Sequence, residues 1–442
     1  MNHFAILSCL ALLGAPLAMA HAAELTLTAP LDFQVVQRSS PGKGLLRLAG
    51  EFSEDQPVVE SSVEARLVGT SQTTAWLRVS GTITGRKLTG TLEAPAGGWW
   101  RLEVRVSRSG QEVARGAVAR VGIGEVFVIA GQSNSANHGE EKQATQTKRV
   151  ATFDGRQWRL ADDPQPGASG GGGSFLPPFA DAVVAKTEVP VGIIACGIGA
   201  TSVREWLPKG ATFPNPPTIL SRVEQLPDGQ WSSKGAAYEA FVARLKSAGP
   251  RGFRAVLWHQ GESDANQKDA TRTLPGRLYR EYLMRLIRDS RRELGWDAPW
   301  FVAQASYHVP GDEGSEDIRA AQASLWQDGI AFAGPDSDAL KGQLRERNGQ
   351  GVHFSGPGLR EHGEQWAAKV LPWLERQWTE PRPADGGKEW AEYAQLPECH
   401  SLGWVNANVQ SKDTRSWNGV LDEASGAPPR LNKWWAGTGL GR

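Results

Sequence analysis

Residues 126–134 read VFVIAGQSN, and this stretch decides how the chain folds. Its first five residues are all apolar, which is typical of a strand buried on both faces of a parallel sheet. A glycine, Gly131, and three polar residues follow at once, as at the end of such a strand. From here to residue 378, apolar runs of strand length alternate with helical patterns. The alternation predicts an α/β domain over residues 122–378, built as a three-layer, doubly wound parallel sheet.

The residues before this stretch follow a different pattern. Over residues 24–121, apolar and polar side chains alternate in short runs, most clearly in WRLEVRV at residues 100–106. Glycine and proline interrupt these runs, as they do in turns. The pattern predicts a small all-β sandwich domain in front of the α/β domain.

The two ends of the chain predict export and an appended tail. Residues 1–23 combine an apolar stretch with the small-x-small sequence AMA at residues 18–20, which is typical of a cleaved signal peptide, although lysine and arginine are missing from its start. No later apolar run reaches the roughly 18 residues that a membrane span needs. Residues 379–442 read as a linker rich in proline and glycine, followed by a tail with five tryptophans. We therefore expect a secreted or periplasmic protein.

The composition excludes several classes of function. Among 442 residues, 48 Lys and Arg balance 48 Asp and Glu, so the chain lacks the basic excess of proteins that bind nucleic acids or membrane surfaces. The three cysteines can build no disulfide framework and have no metal-ligand spacing, so no metal or other cofactor is predicted. The 18 tryptophans fit either stacking on sugar rings or ordinary core packing.

Four polar clusters lie where predicted strands end or on a late loop. They are GQSN at residues 131–134, GIGATS at 197–202, WHQGESD at 258–264 and GVHFS at 351–355. Because the carboxyl ends of parallel strands share one edge of a sheet, we expect the clusters to converge there. Ser133 alone would be a weak signal, since serine is common in turns and helix caps. Its turn is nevertheless the place where α/β hydrolases carry a nucleophile.

Together the four clusters resemble the SGNH (GDSL-type) hydrolase superfamily, in the branch of sialate O-acetylesterase-like carbohydrate acetylesterases. Ser133 matches the nucleophile block of this branch, and Gly199 matches the glycine of the second block. QGES at residues 260–263 matches the third block, and His353 matches the block of the base. The resemblance covers residues 122–378, and it implies an SGNH hydrolase-like fold for them.

The resemblance also implies roles for these residues. Ser133 is expected to attack an acetyl ester while His353 accepts its proton. The backbone N–H groups of Ser133 and Gly199, with the side-chain amide of Gln260, are expected to form the oxyanion hole. The expected partner is an acetylated carbohydrate, and the reaction needs no cofactor.

One position departs from the family pattern. The family usually carries an aspartate three residues before the histidine, and this chain has Gln350 there. A neutral glutamine cannot stabilise an imidazolium as a carboxylate does. The backbone carbonyl of Gly351 or Gln350 is the first candidate to orient His353. The substitute carboxylates that stay open are those of Glu262, Asp264 and Asp336.

Three residues beside these blocks are candidates for binding substrate, namely Asn134, Trp206 and His259. Trp206 fits a sugar subsite or core packing equally well, and His259 fits the rim of the site or a structural role. Glu262 fits a structural hydrogen-bond partner as well as a catalytic group.

These observations predict an exported serine esterase that removes O-acetyl groups from carbohydrates through an acetyl-serine intermediate. Plant-wall polysaccharides or oligosaccharides are favoured over sialic acid, because of the extra β-sandwich domain, the tryptophan content and the breadth of the family. Two alternatives stay open. One is a carbohydrate-binding protein with a weakened active site, which the missing aspartate favours. The other is a lipid or thioester hydrolase on the same fold.

Overall fold

The computed structural model describes residues 23–54 and 61–379. The predicted signal peptide lies outside these residues except for Ala23, and the predicted linker and tail lie outside them beyond Thr379.

The first part of the described chain consists of strands. They are β1 (Ala23–Ala29), β2 (Gln34–Ser40), β3 (Lys43–Phe52), β4 (Ser61–Val68), β5 (Leu77–Arg78), β6 (Ser80–Thr84), β7 (Lys87–Pro95), β8 (Gly97–Arg108) and β9 (Gln111–Gly131). Most pairs among them are antiparallel, including β3 with β7 and β4 with β8. Alternate side chains enter an apolar core that includes Leu46, Leu48, Leu102 and Val104. The predicted N-terminal all-β region is therefore confirmed.

Strand β9 belongs to both parts of the molecule. Its first half pairs antiparallel with β8, from Gln111 to Ile123. Its second half pairs in parallel with β12 (Val191–Ala195) on one side and with β16 (Ala255–His259) on the other. The domain boundary predicted at residue 121 thus falls inside a continuous hydrogen-bonded strand rather than in a loop.

The second part of the described chain is mixed α/β, as predicted. Across its sheet the strands follow the order β11 (Trp158–Leu160), β10 (Val150–Phe153), β12, β9, β16, β17 (Trp300–Gln304) and β18 (Phe332–Asp336). All neighbours are parallel except β10 and β11. A separate small sheet contains β13 (Thr212–Phe213), β14 (Val223–Gln225) and β15 (Trp231–Ser233).

Helices cover the parallel strands. They are α1 (Leu176–Thr187), α2 (Ala236–Ser247), α3 (Gly276–Leu294), α4 (Glu316–Gln327), the short turn α5 (Glu346–Gly349) and α6 (Gly356–Thr379). Val126, Val128 and Ala130 of β9 share one apolar cluster with α2, α3 and α4. Phe127 and Ile129, which point the other way, share a second cluster with α1 and α6. This two-sided burial is why residues 126–130 are all apolar.

A buried carboxylate joins the two parts. Glu125 of β9 has no exposed surface. Its two oxygens accept hydrogen bonds from Arg38 Nε at 2.6 Å and from Arg254 Nε at 2.7 Å. The side chain of Gln37 donates a third bond at 2.9 Å. Arg38 and Gln37 come from β2 and Arg254 precedes β16, so one side chain ties the β region to the parallel sheet.

We expect Glu125→Gln to destabilise the protein strongly. Removing one partner of a buried ion pair costs about 3–5 kcal/mol, because the remaining charges stay desolvated. The matched control is Glu93→Gln, which removes the exposed ion pair with Lys43 and should cost less than about 1 kcal/mol. The free energy of unfolding in urea measures both. Equal losses for the two variants would contradict a central role for Glu125.

Candidate active site

The serine turn is pressed against a neighbouring strand. Ser133 begins a short 3₁₀ helix, Ser133–Ser135, directly after β9. Gly131 has a φ of +127°. A Cβ atom there would lie 2.0 Å from the carbonyl oxygen of His259. The next residue, Gln132, donates its N–H to that same oxygen at 2.9 Å. Only glycine allows the strand to end this close to β16 and to turn Ser133 away from the sheet.

The histidine faces a carboxylate that the sequence analysis did not select. His353 Nδ1 lies 3.1 Å from Glu346 Oε1, and the same oxygen lies 3.3 Å from the His353 N–H. The Glu346 N–H in turn donates to the His353 carbonyl at 2.9 Å. The expectation that the carbonyl of Gly351 or Gln350 orients the ring is therefore wrong, because Glu346 occupies the position beside Nδ1.

The carboxylates named as substitutes are engaged elsewhere. Asp264 pairs with Arg204 at 3.2 Å, Asp336 with Arg319 at 2.7 Å, and Glu262 with His259 at 3.3 Å. None of them contacts His353, so these three expectations are also corrected. In the sequence, Glu346 is marked only as an acidic residue seven positions before His353. It belongs to no short motif.

An open cleft of about 730 Å³ lies at the predicted site. Three of the four motif clusters each contribute a predicted catalytic or oxyanion-hole residue to its lining, namely Ser133, Gly199 and His353. The lining of that cleft includes Ser133, His138, Ser169, Gly199, Glu346 and His353. The ring of His138 stacks on that of His353, with centroids 5.4 Å apart and planes inclined by 29°. Burial lowers the pKa of His138, and a positive charge on His353 would lower it further, whereas the charge of Glu346 opposes the shift.

The predicted oxyanion donors are only partly in place. The amide of Gln260 is fully buried and donates to Asp264 Oδ2 at 2.7 Å and to the carbonyl of Thr201 at 3.1 Å. The expectation that it holds an oxyanion is wrong, because these bonds turn it away from the cleft. The N–H of Gly199 does face the cleft, but it donates to Ser169 Oγ at 2.6 Å.

Asn134 links the serine turn to the loop of the histidine. Its side-chain amide donates to Glu262 Oε1 at 3.0 Å and to the carbonyl of Val352 at 3.2 Å. Burial would raise the pKa of Glu262, but the charge and hydrogen bond of His259 and the bond from Asn134 outweigh it and lower the pKa to about 2. An ionised carboxylate therefore holds Asn134, which is a positioning residue here rather than the expected substrate contact.

Two other expected substrate contacts lie in the core. Trp206 has no exposed surface, and its ring packs against Trp258 and Phe241. His259 is equally buried, between Glu262 and His362. For both residues the structural reading is correct and the sugar-binding reading is wrong. The cleft residues that the sequence analysis missed are Glu346, His138 and Ser169.

Comparison with known proteins identifies a family whose model matches most of the second part of the chain. The family model described as carbohydrate esterase, sialic acid-specific acetylesterase, matches residues 123–372. A carbohydrate acetylesterase from Xanthomonas citri is similar with a TM-score of 0.46 and 20% identity, over 77% of this chain and 73% of the other. A protein from Arabidopsis thaliana has a TM-score of 0.41 and 21% identity, over 56% of this chain and 98% of its own.

A further solved structure, that of NanS, is similar with a TM-score of 0.39 and 17% identity, over 57% of this chain and 98% of the other. No curated protein matches the sequence significantly. Among the described helices, none has the length and apolarity needed to cross a membrane. Within residues 23–54 and 61–379, no group of three or more His, Cys, Asp or Glu side chains is placed to hold a metal ion.

We expect Glu346→Gln to lower kcat for 4-nitrophenyl acetate by about 10²- to 10⁴-fold with little change in KM. The amide keeps the shape of the side chain but removes the charge that stabilises an imidazolium. Glu361→Gln, an exposed carboxylate on α6, is the matched control and should keep full activity. A kcat within twofold of the unaltered protein for Glu346→Gln would refute the assignment.

We expect Gly131→Ala to destabilise the protein by roughly 2–4 kcal/mol, because the methyl group overlaps the His259 carbonyl and the backbone must keep a positive φ. Gly42→Ala is the control, since a Cβ there meets nothing within 4 Å. Thermal unfolding of the two variants checks this, and a stable Gly131→Ala protein with normal activity would show that the turn is not constrained as described.

Proposed function

The chain belongs to the family of carbohydrate esterases described as sialic acid-specific acetylesterases, and from this premise we propose that it is an exported serine esterase that acts through an acetyl-serine intermediate. Carbohydrate O-acetylesterase activity follows from the family, whose model matches more than half of the chain. The observation that carries the proposed mechanism is that Ser133, His353 and Glu346 line one cleft.

The reaction proceeds in two displacements. Ser133 Oγ attacks the acetyl carbonyl carbon while His353 accepts the hydroxyl proton, and the carbonyl oxygen becomes an oxyanion. The ester bond to the sugar then breaks, and His353 returns the proton to the departing sugar oxygen. Water then attacks the acetyl carbon of the acetyl-serine while His353 accepts a proton from it. The bond to Ser133 Oγ breaks, His353 returns the proton to that oxygen, and acetic acid leaves and ionises to acetate. Glu346 stabilises the imidazolium in both halves, because its carboxylate lies beside Nδ1.

The carboxylate at Glu346 also separates the alternatives. The alternative of a weakened protein that only binds carbohydrate was favoured solely by the missing aspartate. Glu346 places a carboxylate beside His353 Nδ1 in its stead. A lipid or thioester hydrolase would need an apolar acyl site, and its rates would rise with acyl chain length. The cleft carries Glu262, Glu346 and Arg347 beside apolar residues such as Ile198 and Ile219, so the rates for esters of increasing chain length decide between the two. The carboxylate beside His353 and the family both support the acetylesterase.

We further propose that residues 122–378 form the catalytic domain and residues 24–121 an accessory β-sandwich domain. The apolar clusters on opposite faces of the parallel strands support a three-layer, doubly wound arrangement of the SGNH hydrolase type. Plant-wall polysaccharides are preferred to sialic acid, because an open cleft of about 730 Å³ in a chain that also carries an accessory domain suits a chain of sugars. Export rests on the pattern of residues 1–23, and a secreted or periplasmic location is proposed.

We expect Ser133→Ala to reduce acetate release by roughly 10⁴-fold or more, because the covalent step is lost. Ser80→Ala, an exposed serine of β6, is the control. The substrates are acetylated xylan, acetylated pectin and O-acetylated sialic acid, with 4-nitrophenyl esters of increasing chain length alongside. Unchanged turnover in Ser133→Ala would end the mechanistic proposal. Faster release from sialic acid would overturn the substrate preference, and rates rising with chain length would favour a lipid hydrolase.

A further inference from the structure

The backbone N–H of Gly199, which was expected to donate to the oxyanion, already donates another hydrogen bond. A backbone N–H carries one proton, and that of Gly199 donates to Ser169 Oγ at 2.6 Å. Ser169 lines the cleft together with Ser133 and His353. An oxyanion can therefore receive the Gly199 donor directly only if the Ser169 hydroxyl moves away.

The backbone of Ser169 is held firmly in place. Its N–H donates to the Gly197 carbonyl at 2.9 Å, and its own carbonyl accepts from the Asn137 N–H at 2.9 Å. The side-chain amide of Asn137 also donates to the carbonyls of Gln165 and Ala168, at 2.9 and 3.2 Å. These bonds hold residues 165–169 against the serine turn.

The proton of Ser169 can be followed through its partners. Ser169 Oγ accepts from Gly199, and it lies 3.0 Å from His138 Nε2. The imidazole of His138 carries hydrogen on at least one ring nitrogen. When that nitrogen is Nε2, the ring donates to Ser169 and both lone pairs of the hydroxyl are occupied. Neither of these two neighbours can then accept the hydroxyl proton of Ser169. The hydroxyl is free to donate it to a group in the cleft.

Resting on the acetylesterase function proposed above, we propose that the Ser169 hydroxyl is itself a donor of the oxyanion hole, polarised by the Gly199 N–H and by His138 Nε2–H. The acetyl carbonyl oxygen becomes negative as Ser133 attacks, and Ser169 donates its proton in a hydrogen bond to that oxygen without transferring it. A hydroxyl that accepts two hydrogen bonds is a stronger donor, because bonds in a chain polarise one another. Ser169 thus fills the place expected for Gln260.

The decisive variant is Ser169→Ala. This substitution removes the hydroxyl and leaves the Gly199 N–H facing the cleft. The two roles that Ser169 could have, donating to the oxyanion or blocking Gly199, therefore predict opposite changes in kcat. If Ser169 donates to the oxyanion, kcat for 4-nitrophenyl acetate falls about 10²-fold, the usual cost of one lost donor, with KM changed less than twofold. If Ser169 merely blocks Gly199, kcat rises. An unchanged or raised kcat overturns the proposal.

His138 provides an independent check. Glutamine places an amide donor near the position of Nε2, whereas phenylalanine keeps the stacked ring but has no donor. We expect His138→Gln to retain most of the activity and His138→Phe to lose about tenfold in kcat. Combined with Ser169→Ala, His138→Phe should cause no further loss, because both changes remove one and the same donor chain. Additive losses would contradict the shared chain.

Three control variants distinguish loss of the Ser169 hydroxyl from misfolding and from an unspecific loss of activity. Ser247→Ala alters a serine whose hydroxyl donates to the Arg244 carbonyl outside the cleft, and it should leave kcat unchanged. Ser169→Gly repeats the loss of the hydroxyl in case Ser169→Ala does not fold, and Ser169→Thr should restore activity. Absence of turnover in the unaltered protein would defeat the proposed function and this inference with it. Normal turnover that survives Ser169→Gly would defeat the inference alone.

Discussion

The backbone of β9 is the constraint on which the other features depend. This one strand pairs with β8 in the N-terminal region, carries the buried Glu125 and ends at the turn of Ser133. Its last pair, Gly131 with His259, leaves no space for a side chain at residue 131. The position of Ser133, the proposed nucleophile, is therefore set by hydrogen bonds that run the length of the strand. A change in the N-terminal region can reach the cleft through this same backbone.

The loop of the base is held by a buried cation. Arg345 is 1% exposed and donates to the carbonyls of Ser337, Leu340 and Val352. Its guanidinium lies between the rings of Tyr307 and Phe354, at 4.1 and 4.3 Å from their centroids. Burial lowers the pKa of Arg345 to about 10, so it stays charged at neutral pH. Because Asn134 also donates to Val352, the serine turn and the histidine loop share one carbonyl as an anchor.

The sequence was sufficient where chemistry and spacing are local. The apolar run at residues 126–130 predicted a strand buried on both faces, and short motifs placed Ser133, Gly199 and His353 at one cleft. The sequence was not sufficient where a turn of the chain decides which side chains meet. Glu346 reaches His353 because Arg347 and Asn348 both take positive φ values, a turn that no hydrophobic period encodes. Gln260 was misassigned because its neighbour Asp264, four residues on, captures the amide.

Three histidine–carboxylate pairs lie near Ser133, and the contacts of each ring indicate which one can act as the proposed base. His308 Nδ1 lies 2.6 Å from Asp312 Oδ2, and its Nε2 lies 2.6 Å from the Glu262 carbonyl, so both of its ring nitrogens are engaged. His259 Nε2 faces the ionised Glu262, which can only accept. His259 is also fully buried, with its Nδ1 3.0 Å from His362 Nε2, so its ring does not open onto the cleft. In the pair of His353 with Glu346, the carboxylate occupies Nδ1 alone. His353 is partly exposed to the cleft, so its Nε2 is the nitrogen left to exchange a proton with Ser133.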